Sequence, residues 1–105
     1  MYEPFDIDFY NTRFVWDDEK AEANFIKHGI KFTTAANVFL DEKKLIRYDE
    51  EHSKYEDRYN VLGKVGNVMF VVCVFIDEKT VRIVSARLAG NEEKRRYRDG
   101  QYYDE

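Results

Sequence analysis

Six of the seventeen Lys and Arg residues of this 105-residue chain fall within residues 81–98, in VRIVSARLAGNEEKRRYR: Arg82, Arg87, Lys94, Arg95, Arg96 and Arg98. Only two carboxylates, Glu92 and Glu93, lie among them, so the segment carries +4 while the remainder, with eleven basic and nineteen acidic residues, carries −8. A basic segment in an acidic protein points at an anion. Guanidinium groups grip phosphate oxygens in pairs, which suits them to a phosphodiester. With proton-transfer groups alongside, such a site has the parts to cleave RNA without a metal. That reaction needs a base for the ribose 2′-hydroxyl, cations for the charge developing at phosphorus, and an acid for the departing 5′-oxygen.

Arg87 stands just before Leu88-Ala89-Gly90, where a strand end and a helix start can form an anion site. Arg82 lies five residues earlier. That odd spacing turns the two side chains to opposite faces of a regular strand. They share one phosphate only if a bulge intervenes or the strand ends near Arg87. The competing role for both is pairing with carboxylates on the sheet. Tyr97, ten residues after Arg87, either returns over the sheet to the strand end or serves as a core tyrosine. His52, Glu56 and Arg58 form an acid–base cluster if their polar loop folds over the sheet, and are otherwise exposed. His28 closes a helix beside Lys27 and Gly29, where the helix dipole favours a capping or packing role. Lys94, Arg95, Arg96 and Arg98 are expected on a solvated helix face, with phosphate contact as the alternative. Two histidines and the single cysteine, Cys73, make no metal constellation, and the chain holds no phosphate-binding loop or dinucleotide fingerprint.

The elements that position these residues are legible from caps and periodicity. Asp17 is placed as an N-cap, with Asp18 and Glu19 in the first turn of a helix that runs to about His28 and stops at Gly29. Ala21, Phe25 and His28 would share its face. Thr33 opens a second short helix that ends near Asp41, with Ala35, Val38 and Phe39 as its apolar side. Phe14-Val15-Trp16 and Leu45–Tyr48 read as strands, and residues 49–57 as a charged loop. Residues 58–65 form the next strand and Gly66-Asn67 a turn. Residues 68–76, VMFVVCVFI, are apolar without a break and fit a central strand buried on both faces. Residues 77–80 turn the chain into the last strand, 81–88. Asn91 then caps a helix with Glu92 and Glu93 in its first turn, arginines toward its end and Gly100 as its stop. The expected fold class is α+β: two N-terminal helices over a mostly antiparallel sheet, and a short C-terminal helix.

The length predicts one domain, with residues 1–12 as a lead-in or tail and 13–105 as the folded unit. Aromatic residues at 16% give a small core a large apolar area per residue. Cys73, inside the apolar run, is expected to be buried and inert. No signal-peptide-like opening and no bilayer-length apolar stretch is present, so the expected compartment is the cytoplasm, with no membrane contact.

An ordered set of residues goes further. Phe14-Val15-Trp16-Asp17, Lys20, Asn24 and Lys27-His28-Gly29 are followed by Phe32, Ala35, Val38-Phe39 and Asp41. His52-Ser53, Glu56, Arg58 and Leu62-Gly63 come next, then Arg82-Ile83-Val84-Ser85-Ala86-Arg87 with Glu93 and Tyr97. In this order, over about residues 13–100, the chain resembles the BrnT family. The resemblance implies the toxin of a type II toxin–antitoxin pair with a RelE-like ribonuclease fold, which cleaves RNA and arrests translation and needs no cofactor. It implies a BrnA-like antitoxin partner with a ribbon-helix-helix part, and DNA contact only through that complex. Carried over, the active surface draws on Arg58, Arg82, Arg87 and Tyr97, with His52 and Glu56 nearby. Arg82 and Arg87 would meet the phosphate, and Tyr97, or His52 with Glu56, would handle protons. The competing expectation is a non-catalytic, degenerate binding module within a DNA-binding repressor complex, which the net charge of −4 also suits.

Overall fold

The apolar run builds the middle of a five-stranded sheet. In the computed structural model, which describes residues 7–101, it lies within β4 (Asn67–Asp77), flanked by β3 (Tyr59–Val65) and β5 (Thr80–Leu88). β2 (Leu45–Tyr48) and β1 (Arg13–Val15) are the edges, giving the order β1-β5-β4-β3-β2. All neighbours are antiparallel except β1, which pairs parallel to β5. Hairpins join β2 to β5 in sequence, whereas β1 reaches its place before the helical segment that crosses the sheet.

One face of the sheet is the core. Val61, Met69, Val71, Cys73, Val81, Ile83 and Ala86 point into it. They meet Phe32, Ala35, Val38 and Phe39 from the helical layer. The other face carries Arg47, Asn60, Leu62, Phe70 and Val72, and is covered in part by α3 (Asn91–Asp99). β4 is therefore central but not equally buried on its two sides: Phe70 and Val72 stay half-exposed. The cause is incomplete cover, because α3 lies mainly over β3 and β4.

The helices follow their caps with small departures. Asp17 caps α1 (Asp18–His28), its carboxylate accepting the Lys20 N–H, and Gly29 ends it at φ 72°, a left-handed conformation glycine adopts without a Cβ penalty. The second helix starts at Phe32, not Thr33: α2 (Phe32–Ala35) tightens at once into a 3-10 segment, Ala36–Leu40. The cap of α3 is Gly90 rather than Asn91, because the Glu93 carboxylate reaches back to the Gly90 N–H at 2.8 Å. Ile7 and Phe9, from the expected lead-in, pack against the core, and residues 1–6 lie outside the described region. Among the described residues no helix is long and apolar enough to cross a membrane.

Of the expected inward face of α1, Ala21 packs against the core, but Phe25 and His28 do not. Phe25 and His28 are exposed, and Asn24 is the buried member. Its amide docks on β5 as a strand would. Nδ2 donates to the Ala86 carbonyl at 2.9 Å and to the Ile30 carbonyl at 3.2 Å, and Oδ1 accepts the Ala86 N–H at 3.0 Å. β1 is too short to cover this part of β5, so the side chain satisfies the backbone beside Arg87. Asn24→Ala should cost about 3 kcal/mol, from buried groups left unpaired. Urea unfolding of the two proteins measures the difference.

Candidate active site

A bulge in β5 decides which side chains meet. Val72 pairs with Ser85 and Cys73 with Ile83, so Val84 is an extra residue. The alternation shifts by one across it, and Arg82, Ser85 and Arg87 all emerge on the open face. The condition on which Arg82 and Arg87 could work together is met by this one inserted residue.

Arg87 is held on three sides. Its Cζ lies 4.2 Å from the centre of the Phe70 ring, its cross-strand partner. Nη1 and Nη2 donate to the two carboxylate oxygens of Glu93 at 2.7 and 2.8 Å, and Nη1 also reaches the Leu88 carbonyl at 3.2 Å. Glu93 thus caps α3 and fixes Arg87 with the same carboxylate. The Arg87 guanidinium holds that carboxyl below the usual range, against burial, which pushes it up. A lowered carboxyl stabilises the fold above its ordinary value, 4.5, and that contribution is lost as pH falls through the folded value. Glu93→Gln is expected to be about 1 kcal/mol less stable at pH 7, since Arg87 is partly solvated. The gap should narrow as pH falls below 4.5, as urea titrations over that range will read.

The polar loop does fold over the sheet. The Asp49 N–H donates to the Arg58 carbonyl at 2.8 Å. The Ser53 hydroxyl donates to the Asp49 carbonyl and accepts the Arg58 N–H at 2.9 Å. Within this closed loop, Glu56 bridges two arginines. Its Oε1 accepts from Arg58 Nε and Nη2 at 3.3 and 3.2 Å, and its Oε2 accepts from Arg82 Nη2. The Arg82 hydrogen bond, then Arg58, keeps the Glu56 carboxyl low despite partial burial. Glu56 is therefore an ionised clamp at neutral pH, not a proton donor.

His52 sits on the same loop. Its Nδ1 is 3.0 and 3.1 Å from the two oxygens of Asp49, and its N–H donates to Asp49 Oδ1 at 3.3 Å. The imidazole is exposed, at 64%, whereas the Asp49 carboxylate is buried, at 9%. Asp49, His52, Arg58, Phe70, Val72, Ser85 and Arg87 line one cavity of about 330 Å³. An imidazole at the rim of an arginine-lined cavity can take a proton from a bound phosphodiester's neighbour while cations hold the phosphate.

Tyr97 is not brought to this cavity. Its hydroxyl donates to Asp41 Oδ2 at 2.5 Å, and Asp41 also accepts the N–H groups of Lys43 at 2.9 Å and Lys64 at 2.8 Å. Tyr97 and Asp41 line a separate, larger hollow of about 690 Å³ with Asn37, Leu40, Lys43, Lys64, Val65 and Gly66. Size does not decide between the two: only the smaller holds an imidazole beside arginines. Burial first, then Asp41, pushes the Tyr97 hydroxyl up to about 12 from 10. A raised value means the contribution is complete below pH 10 and fades as pH rises through about 12. Tyr97→Phe should cost about 1 kcal/mol in a denaturant titration at pH 7.

The remaining candidates lie along α3: Lys94 and Arg98 are exposed, and Arg95 and Arg96 half-buried. Arg95 pairs with Glu92 at 2.6 Å and Asp99 at 3.6 Å, Arg96 with Glu92 at 3.2 Å and Arg98 with Asp99 at 3.3 Å, all along α3. Two residues were not singled out from sequence. Asp49 looked like one acid in a charged loop; its signal was its place three residues before His52, at the end of a strand. Arg47 shares the open face with Asn60, and its alternation with core-facing Ile46 was readable. Among the described residues no group of three or more His, Cys, Asp or Glu side chains is placed to hold a metal ion.

The fold and the cavity define a small α+β protein whose open sheet face carries arginines and an imidazole around one cavity. Residues 16–93 match the model of the ribonuclease toxin BrnT of type II toxin–antitoxin systems, and the chain belongs to that family. Membership implies an antitoxin partner. The fold is similar to that of the Brucella abortus ribonuclease toxin BrnT, known from a 1.1 Å crystal structure, with a TM-score of 0.58 and 20% identity, covering 76% of this chain and 99% of that chain. No curated protein matches the chain. Tyr97 lies beyond the matched residues, as do residues 1–15.

Proposed function

We propose that the protein is a metal-independent endoribonuclease toxin that cleaves RNA at the His52–Arg58–Arg87 cavity and is neutralised by a BrnA-like ribbon-helix-helix antitoxin. The observation that carries this reading is the meeting of His52, Arg58 and Arg87 around one cavity, with Arg82 tied in through Glu56. His52 Nε2 takes the proton of the ribose 2′-hydroxyl. The 2′-oxygen attacks phosphorus and the bond to the 5′-oxygen breaks, with water supplying its proton through the open side. Arg58, Arg82 and Arg87 hold the phosphate and the charge that develops on it. Tyr97 anchors α3, and Glu56 and Glu93 aim the arginines. The antitoxin complex is the route by which the protein meets DNA.

The same carboxylates favour a second reading, a non-catalytic module, because each of the three arginines already has an acidic partner. Expression in a bacterium separates the two. Induction should arrest growth, co-expression of a cognate antitoxin should restore it, and Arg58→Ala should leave growth normal. Normal growth with soluble, folded wild-type protein contradicts the toxin reading.

A further inference from the structure

The Asp49 carboxylate is buried, and among the described residues its side-chain hydrogen bonds all go to His52: two approaches to Nδ1 and one to the backbone N–H. A carboxylate only accepts, so in the neutral imidazole the proton sits on Nδ1 and Nε2 is left bare. The backbone of Asp49 is itself fixed from both sides, through Arg58 and Ser53. The carboxylate is therefore anchored, and the ring it holds is the exposed partner. We infer that Asp49 is a positioning residue, which sets the tautomer and orientation of His52 so that Nε2 faces the substrate ready to accept a proton. The inference rests on the proposed role of His52.

A neutral amide at this position keeps the shape and the contact with the His52 N–H but can donate to Nδ1 as well as accept from it, so the ring is no longer confined to one tautomer. Asp49→Asn is compared with wild type in two ways. Cleavage of a short RNA oligonucleotide should show kcat lower by about 10²-fold with KM within about twofold, the mark of a group acting on the reacting state rather than on binding. Long-range ¹⁵N–¹H correlation spectra of the His52 ring should show protonated Nδ1 and bare Nε2 in the wild type, and a population protonated at Nε2 in the variant. Wild-type kcat in the variant overturns the inference, as does a fall in kcat with an unchanged tautomer. If wild-type protein cleaves no RNA, the functional reading falls, and the tautomer comparison alone then decides whether Asp49 governs the ring.

Discussion

His52→Ala is expected to lower RNA cleavage by about 10³-fold, within the range that a positioned general base contributes. The protein should stay folded, because the imidazole is mostly exposed and the loop is closed by Ser53, Asp49 and Arg58 through backbone and hydroxyl contacts. Binding of uncleavable 2′-O-methyl RNA should change little, since the arginines remain. The Asp49 carboxylate then has water in place of the ring. Single-turnover cleavage with wild type and variant, alongside thermal melts, reads activity and stability separately. Wild-type cleavage by the variant would remove His52 from the mechanism.

A large stability effect is expected from the smallest change. In Gly63→Ala the new Cβ would stand 2.7 Å from Val38 Cβ, 3.0 Å from the Val38 carbonyl oxygen and 3.1 Å from Val38 Cα. Two of these atoms are backbone. Val38 is fully buried in the 3-10 segment and packed among Ala35, Phe39 and the sheet, so it has nowhere to retreat. Overpacking of this kind costs about 2–3 kcal/mol. In a domain of this size that is roughly 10–20 °C of melting temperature. The clash also presses on the Asp41–Lys64 hydrogen bond next door, at 2.8 Å, through which Tyr97 anchors α3. A melting temperature within 2 °C of wild type, about 0.3 kcal/mol, would show that the two segments separate more easily than their contact suggests.

Much of the architecture is readable because its signals are local. Asp17 and Gly29 bracket α1, Gly66 marks the β3–β4 turn, and VMFVVCVFI marks the central strand. Local signals also mislead in definable ways. Asn91 is the better N-cap by type, but Glu93, already committed to Arg87, moves the cap to Gly90. Phe25 looks like a core residue by spacing, but the place beside β5 needs hydrogen bonds and goes to Asn24. The arginines of the site were legible by type, and their convergence was not. It depends on a bulge at Val84, whose presence comes from strand pairing across the sheet rather than from any residue nearby. Tyr97 could be placed on α3, but which side of the sheet it would meet depends on where that helix crosses, and it reaches Asp41. The fate of the His52 loop hinged on Ser53 and Asp49, whose hydrogen bonds become apparent only once β2 and β3 are paired.

The most direct test of the cationic sheet face as an RNA-cleaving site is incubation of purified protein with a short RNA in excess EDTA, followed by analysis of the new ends. Cleavage should yield a 2′,3′-cyclic phosphate and a 5′-hydroxyl, and the same sequence carrying 2′-O-methyl groups should stay intact. Folded protein that leaves the RNA intact, or that cuts the 2′-O-methyl strand equally well, would contradict the RNA-cleaving role of this face.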